Sequence, residues 1–301
     1  MDNDNIIKKK LVQTYRALRL KLDYASMSLL SEEAGNEKIA SLLNQDQPFM
    51  VGRFGAVEMH LVSKYMQQAP YSDKEREQAL YAAGIFPNDI DTLNKFCEVY
   101  MEAMKDCDVL GVWEVSGEKQ AIKEYCKIAQ LVPSKAIEPY YYSPPWSRSL
   151  VGKKVLVIHP FVESISKQLV RRNDIWQDKE VLPEFKSVEY IKAVQSNGGG
   201  KTEFGDWFEA LDSMRKQVDV RDFDVAIVGA GAYGFPLCAY IKQSGKDAIQ
   251  MSGATQILFG IKGKRWDEHP VISQFYNDAW IRPSESEKPP ESAKVEGGSY
   301  W

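Results

Sequence analysis

Short apolar runs alternate with amphipathic stretches along most of the chain. The runs are rich in β-branched residues and bounded by charged or turn residues, which is typical of buried strands. The predicted strands are residues 48–55, 108–113, 152–160, 188–195, 224–228 and 247–251, and the predicted helices include 56–66, 89–105, 204–217 and 232–244. Buried strands alternating with helices indicate a parallel sheet covered on both faces. The predicted fold is therefore α/β, a Rossmann-like, mostly parallel sheet with helices on both faces.

A basic amphipathic helix is predicted over residues 6–30. Its apolar positions recur at helical spacing, and the residues between them include Lys8, Lys9, Lys10, Arg16, Arg19 and Lys21. Such a helix can lie on an anionic membrane surface as a peripheral contact. It can also dock against its own protein with a solvated basic face, which we favour because amphipathic stripes usually bury in this way.

Composition changes divide the chain into four segments. They are an N-terminal helical segment (1–47), an N-terminal α/β half (48–148), a C-terminal Rossmann-like nucleotide-binding half (149–282) and a tail (283–301). The tail is rich in Ser, Glu, Lys and Pro, as in exposed segments. Its aromatic ending, Tyr300-Trp301, indicates that it folds back onto the domain.

Composition narrows the class of protein further. The chain has 301 residues, 44% of them hydrophobic, and a net charge of −4, which argues against nucleic acid as a partner. No apolar run approaches the ~18 residues of a membrane-spanning helix, and the polar start is unlike a secretory signal. The four scattered cysteines are typical of a reduced, cytoplasmic protein. The three histidines lack paired spacing, so we expect no structural zinc.

Residues 229–234 match the glycine spacing of a dinucleotide-binding turn. The glycines Gly229, Gly231 and Gly234, with Tyr233 among them, follow a predicted strand and open a predicted helix. Such a turn presents backbone N–H groups and a helix N-terminus to a phosphate. The next strand ends without the acidic residue that holds a ribose, so we predict phosphate or nucleotide binding rather than NAD. A turn needed only for helix–strand packing is the alternative.

A second small-residue turn after the last strand precedes a basic cluster. Thr255 lies in the turn, and Lys262, Lys264 and Arg265 follow it, next to Trp266. These cations are predicted to bind a diphosphate beside a stacked base. A solvated basic loop is the alternative.

Three further groups are candidates. Gly52, Arg53, Gly55 and Glu58 surround the end of the first strand and are predicted to bind phosphate, sugar hydroxyls or a metal. Glu203 and Asp206 are candidate general bases, or acidic residues that favour a helix N-terminus. Tyr141, Tyr142 and Trp146 are predicted to line an acceptor groove, since sugars stack on aromatic faces, although core packing explains them equally well.

These motifs together resemble the GT-D fold glycosyltransferases, bacterial enzymes that build surface glycans from nucleotide sugars. The resemblance lies in residues 53–58, 224–234, 253–260 and the ending 295–301. In that family a pair of carboxylates links a divalent metal to the sugar diphosphate. Here Arg53, Gly55 and Glu58 match, but Ala56 stands where the family has Asp. The resemblance thus implies Mn²⁺ or Mg²⁺ held through Glu58, while the single carboxylate argues against a tight site.

The predicted function is transfer of a sugar from a nucleoside diphosphate donor to a glycan or lipid-linked acceptor in surface polysaccharide synthesis. Glu58, with Glu203 or Asp206, is predicted to be catalytic, and the two glycine turns and the cations are predicted to bind the donor. A nucleotide-dependent oxidoreductase and a membrane-associated scaffold without activity are the alternatives.

Overall fold

The computed structural model describes residues 19–20, 22–199, 202–289, 292–295 and 297–301. The predicted basic helix therefore lies mostly outside the described residues. Its C-terminal part does not continue as an α-helix to residue 30, because the chain turns at Tyr24 and forms a 3₁₀ turn over Ala25–Met27. Within the described residues, no helix is both long and apolar enough to cross a membrane.

Seven strands form one sheet. They are β1 (Met50–Arg53), β2 (Val109–Val112), β3 (Gln130–Pro133), β4 (Lys154–His159), β5 (Ser187–Lys192), β6 (Val225–Val228) and β7 (Asp247–Gln250). Every pairing is parallel, and the order across the sheet is β3-β2-β1-β7-β6-β4-β5. The predicted parallel sheet is thus confirmed. Strands β1–β3 come from the predicted N-terminal half and β4–β7 from the C-terminal half, and the two sets meet where β1 pairs with β7.

Eleven α-helical segments connect or flank these strands in the described part of the chain. They are α1 (Glu32–Leu42), α2 (Ala56–Met66), α3 (Asp73–Gln78), α4 (Ile90–Met104), α5 (Glu118–Tyr125), α6 (Val162–Val170), α7 (Arg172–Ile175), α8 (Trp207–Asp219), α9 (Gly234–Gln243), α10 (Ala254–Leu258) and α11 (Lys264–Asp267). A capping box begins α3, where Ser72 and Glu75 bond reciprocally.

Two hydrophobic clusters cover the two faces of the sheet. Side chains of a strand alternate between the faces, and in β4 Leu156 and Ile158 join one cluster while Val155 and Val157 join the other. Helices α2, α4, α5, α8 and α9 pack in the first cluster, and α1, α6 and α10 pack in the second. Helices therefore cover both faces, as predicted.

All four cysteines are buried thiols, as expected of reduced residues. Burial raises the pKa of Cys97 and of Cys126 to about 12, so both stay protonated at neutral pH. These thiols act as small apolar side chains of the core.

Candidate active site at the carboxyl edge of the sheet

The loops after β1 and β7 leave the sheet toward opposite faces. Helix α2 follows β1 into the first cluster, while α10 follows β7 into the second. Because β1 and β7 are neighbours, this is a topological switch point, where the loops diverge and leave a crevice between the carboxyl ends of the strands. Open parallel sheets bind ligands at such crevices. Two of the groups singled out in the sequence border this crevice, Gly52 to Glu58 at the end of β1 and just after it, and Thr255 to Arg265 after β7.

A buried glutamine joins the two strands at the crevice. Gln250, 3% exposed at the end of β7, accepts a hydrogen bond at its Oε1 from the backbone N–H of Arg53 at 2.9 Å. Gly52 lies beneath it, because a Cβ there would be 3.0 Å from the Phe235 ring and 3.1 Å from Gln250 Oε1. The structure thus shows that Gly52 lets Phe235 and Gln250 approach the backbone closely.

The guanidinium of Arg53 forms an ion pair with a residue that follows β3. Its Nη1 is 3.2 Å from Glu138 Oε1, and the other carboxylate oxygen of Glu138 accepts a hydrogen bond from the Tyr140 hydroxyl at 2.5 Å. Tyr141, a predicted acceptor contact, stacks edge-on against Phe275 in the same region and is partly exposed. Arg53 thus reaches the site with part of its charge already balanced by Glu138.

Glu58 stands in the first turn of α2, and its carboxylate folds back over Gly55. A Cβ on Gly55 would be 2.0 Å from Glu58 Oε2, so only glycine permits this arrangement. The N–H of Gly55 donates to the Tyr100 hydroxyl at 3.3 Å, which ties the loop to α4. A carboxylate in this place is stabilised by the helix dipole, and it faces the same edge as Arg53.

The glycine turn after β6 has one packed and one open glycine. A Cβ on Gly229 would be 2.6 Å from the His159 ring and 2.7 Å from Thr255 Oγ1. Gly231 is exposed, has φ +53° and has open space where its Cβ would point. Thr255 is fully buried and bonds to the carbonyl of Val228, so its hydroxyl serves packing. The open backbone at Gly231 is therefore the part of this turn that a phosphate can approach.

Other residues beside this turn belong to the core. Tyr233 is 2% exposed, stacks on Trp207 at 5.0 Å and donates from its hydroxyl to Ser196 Oγ at 2.7 Å. Gly234 begins α9 against the Gln250 side chain. Burial lowers the pKa of His159 to about 3, so its imidazole is neutral at physiological pH. Reaching a donor with Tyr233 would require the core to open.

The predicted cations lie against the C-terminal tail. Arg265 donates to the Tyr300 hydroxyl at 2.9 Å, with its guanidinium over the Tyr300 and Trp266 rings. Lys262 lies over the Tyr276 ring at 5.2 Å, while Lys264 is exposed. Of the three, Lys264 has the side chain with most access to a ligand.

The tail itself crosses the carboxyl edge. Tyr300 packs over Gly253 in the turn after β7, where an added Cβ would be 3.0 Å from the ring. Upstream, the buried carboxylate of Glu287 accepts hydrogen bonds from the N–H of Glu163 at 2.7 Å and from the Ser164 hydroxyl. Those groups belong to the first turn of α6, so Glu287 caps a helix that is more than 100 residues away in sequence.

The two predicted bases differ in their surroundings. Asp206 is the N-cap of α8, and its Oδ1 accepts from the N–H of Glu209 at 2.8 Å. Glu203 lies in the preceding loop with an exposed side chain. Asp206 thus has the helix-terminal role that was the alternative interpretation, while Glu203 has a solvent-facing carboxylate.

Two of the three predicted acceptor aromatics lie away from the crevice opening. Trp146 is fully buried and donates from its indole to the carbonyl of Ile137 at 3.0 Å. Tyr142 is partly exposed, with its hydroxyl 3.5 Å from Glu32 on α1. Trp146 can contact no sugar in this conformation, because the core covers it.

Two residues that follow β2 were not predicted from the sequence. Trp113 is 44% exposed, and its indole N–H donates to the carbonyl of Phe54 at 2.9 Å. Glu114 has a positive φ of 65°, which is uncommon outside glycine. The available signal was Trp113 itself, an aromatic residue at the carboxyl end of a strand. An aromatic residue in that position is usually buried, so nothing in the sequence indicated an exposed ring.

The residues at the crevice make a weak donor set for a divalent ion. Ala56 leaves Glu58 as the carboxylate of its stretch, and no group of three or more His, Cys, Asp or Glu side chains arranged to hold a metal occurs among the residues placed by the structure. One carboxylate is too few for a metal site formed by protein ligands alone, and an ion held by Glu58 would need the phosphates of a substrate as further ligands.

No protein-family model matches the chain, and no curated protein is significantly similar to it. Among solved structures, the chain is similar to a glycosyltransferase (DUF1792) from Streptococcus sanguinis, with 14% sequence identity, a TM-score of 0.46, and coverage of 86% of this chain and 96% of that chain. That protein belongs to the class of enzyme that the Arg53–Glu58 motif resembles. An overlap this loose does not carry its activity over to this chain.

Proposed function

We propose that this protein is a glycosyltransferase that moves a sugar from a nucleoside diphosphate donor to an acceptor hydroxyl. The observation that supports it best is the spacing of two groups along one edge. The open turn at Gly231 follows β6, and Arg53 with Glu58 follows β1, with β7 between them. Two strand spacings are about 10 Å, a distance that a sugar diphosphate spans.

The donor is held by groups suited to its charge. Backbone N–H groups near Gly231 and the start of α9 face the diphosphate, since a helix N-terminus favours anions. Lys264, the first residue of α11, adds a positive charge. Arg53 and Glu58 meet the sugar, because a guanidinium and a carboxylate hydrogen-bond well to hydroxyl groups.

The transfer step is a substitution at the anomeric carbon. The acceptor oxygen forms a bond to this carbon while the bond to the diphosphate oxygen breaks, and the nucleoside diphosphate leaves with the electron pair. Glu203 takes the proton of the acceptor hydroxyl, since Asp206 caps α8. Fixed N–H dipoles and Lys264 stabilise the charge that develops on the leaving group, which is usually the largest contribution to such catalysis.

The acceptor we propose is a glycan or a lipid-linked sugar, in bacterial surface polysaccharide synthesis on the cytoplasmic side. Either acceptor presents the hydroxyl that the reaction needs. A lipid-linked acceptor would bring the protein to the membrane surface, where the basic residues before Leu22 would contact anionic headgroups.

The oxidoreductase alternative finds less support at the same turn. A dinucleotide site uses an acidic residue at the end of the following strand to hold the ribose. Here β7 ends in Gln250, which is buried and bonded to Arg53. The end of β7 therefore has no acidic side chain to bind a ribose.

Thermal unfolding with UDP-, GDP-, dTDP- and CMP-sugars, and with NAD(H), tests the proposal. Ligands that bind the native state raise the midpoint, and we expect a rise with one class of nucleotide sugar. Glu58→Ala should lose transfer at least 100-fold, while Glu124→Ala, an exposed carboxylate on α5, should retain it. Full activity in Glu58→Ala, or a rise with NAD(H) alone, would refute the assignment.

A further inference from the structure

Trp113 is the most exposed of the seven tryptophans. Its ring is held in place, because the indole N–H bonds to Phe54 in the loop that also carries Gly55. Its backbone N–H lies 3.3 Å from the carboxylate of Glu118. A large apolar ring that stays exposed and is fixed at both ends is unusual for a residue without a ligand, since burial of apolar area would stabilise the fold.

An open cavity of about 330 Å³ lies at the start of α5, and Glu114, the residue after Trp113, forms part of its wall. Its lining includes Asp23, Tyr24, Glu114, Glu118, Lys119 and Gln120. Carboxylate, ammonium and amide groups of this kind hydrogen-bond to the hydroxyls of a sugar. The volume lies within the range of small-ligand sites, about 300–1,000 Å³.

The backbone between the ring and the cavity is strained. Glu114 adopts φ +65°, and its Oε1 is buried without a hydrogen bond, although Arg19 Nε is 3.2 Å away as an ion pair. Left-handed backbone at a non-glycine residue is uncommon and is concentrated at functional sites. The Glu114 carboxylate lies at the cavity wall, where its Oε1 is paired with Arg19.

The position of Trp113 along the edge indicates which substrate it meets. In the order β6, β7, β1, β2, the proposed diphosphate groups follow β6 and the sugar groups follow β1. Trp113 follows β2, one strand beyond Arg53 and Glu58, the groups proposed to bind the sugar. Three strand spacings, about 14 Å, separate it from the turn at Gly231, where the diphosphate is proposed to bind. A substrate bound next to the sugar on this side would be the acceptor, which receives the sugar.

We propose that Trp113 and the adjoining cavity bind the acceptor as a saccharide, with a sugar ring stacked on the indole and its hydroxyls bonded to Glu114 and Lys119. The acceptor role rests on the proposed glycosyltransferase function. It places the acceptor on β2 rather than on the aromatic loop of Tyr141, Tyr142 and Trp146. The donor groups do not include Trp113, so donor binding and acceptor binding can be separated.

The test measures binding to an immobilised panel of mono-, di- and oligosaccharides. Wild type should bind a subset of them, and Trp113→Ala should weaken that binding at least tenfold. Trp113→Phe, which keeps a ring but loses the bond to Phe54, should fall between the two. Ile128→Ala removes another exposed apolar side chain. It lies just before β3, at the amino ends of the strands and not at the carboxyl ends, and this variant should bind like wild type.

The same variants are then unfolded with the nucleotide sugar that stabilises wild type. Trp113→Ala should show the full donor-dependent rise, which separates loss of the acceptor site from loss of folding. Saccharide binding that Trp113→Ala leaves unchanged, or wild type that binds no saccharide, would overturn the inference while leaving the transferase proposal standing. Trp113-dependent saccharide binding without any donor effect would instead refute the transferase, and the acceptor role with it.

Discussion

Gly229 and Gly231 belong to one motif but meet different surroundings. At Gly229 the obstacles to a side chain are the His159 ring, the Thr255 hydroxyl and the carbonyl of Ser252, 2.9 Å from an added Cβ. At Gly231 space is open, and the requirement is a left-handed backbone. Sequence spacing alone treats these glycines alike, although one serves packing and the other leaves a turn accessible.

Substitution should separate the two roles. Gly229→Ala should lower the free energy of unfolding by about 3 kcal/mol, because a backbone carbonyl and a buried ring cannot move aside easily. Gly231→Ala should cost about 1 kcal/mol, from the left-handed backbone alone. Urea unfolding of both variants measures the difference, and the reverse order would contradict this assignment of roles.

At the scale of elements, the tail and α6 depend on each other. Glu287 supplies the acceptor that the first N–H groups of α6 need, and Trp301 packs edge-on against Phe161 just before the same helix. The bond from the Trp301 indole to the carbonyl of Glu287 closes the tail on itself. The end of the chain is thus held as an ordered part of the carboxyl edge.

Removing this cap should loosen the tail. Glu287→Ala leaves the N–H groups of Glu163 and Ser164 without their acceptor, and loss of a helix cap costs about 1 kcal/mol. Hydrogen exchange over residues 292–301 should become faster than in wild type. Glu285→Ala, an exposed carboxylate in the same 3₁₀ turn, should exchange like wild type; equal protection in Glu287→Ala would show that the cap does not hold the tail.

The elements found from sequence are those with a strong local signal. Predicted strands and helices agree with β1, β2, β4–β7, α2, α4, α8 and α9 to within a few residues. Strand β3 was missed because its Gln130–Pro133 holds only two buried apolar residues, and α5 because few of its positions are apolar. The pairing of Glu287 with α6 has no local signal, since it joins residues more than 100 positions apart.

Site residues, like the elements, were predicted where the sequence carries a local signal. Gly52, Arg53, Gly55, Glu58 and Gly231 were found because glycines and a charge at a strand end are visible in sequence. Their partners Glu138, after β3, and Gln250, on β7, were not found, because contacts between different strands depend on the strand order. That order places β7 beside β1, although about 200 residues separate them.

The molecule as a whole is organised around β7, which joins the two sets of strands. Asp247 begins this strand, and burial raises the pKa of its carboxyl from its ordinary value near 4 to about 6. The native state therefore binds the proton of Asp247 more tightly than the unfolded state does. By linkage, the contribution of Asp247 to the free energy of unfolding is fully present below pH 4 and is lost as the pH rises through 6.

Asp247→Asn should accordingly be more stable than wild type at pH 7, with the gain disappearing toward pH 4. Asp222→Asn is the matched control of opposite sign, because the Lys154 ammonium lowers the pKa of Asp222. That variant should lose stability at pH 7 and approach wild type in acid. Urea midpoints between pH 3 and 8 give both curves; a constant difference for Asp247→Asn would contradict the buried-carboxyl explanation.

The place of β7 in the sheet also sets the order of events during synthesis. A ribosome releases β1–β3 long before β7, and β4–β6 follow with their own partner strand still missing. Until residues 247–250 emerge, β1 and β6 each present an unpaired edge to the surrounding cytosol, which is the condition that favours aggregation. Chaperone binding to nascent chains should therefore persist until residues 247–250 have left the ribosome.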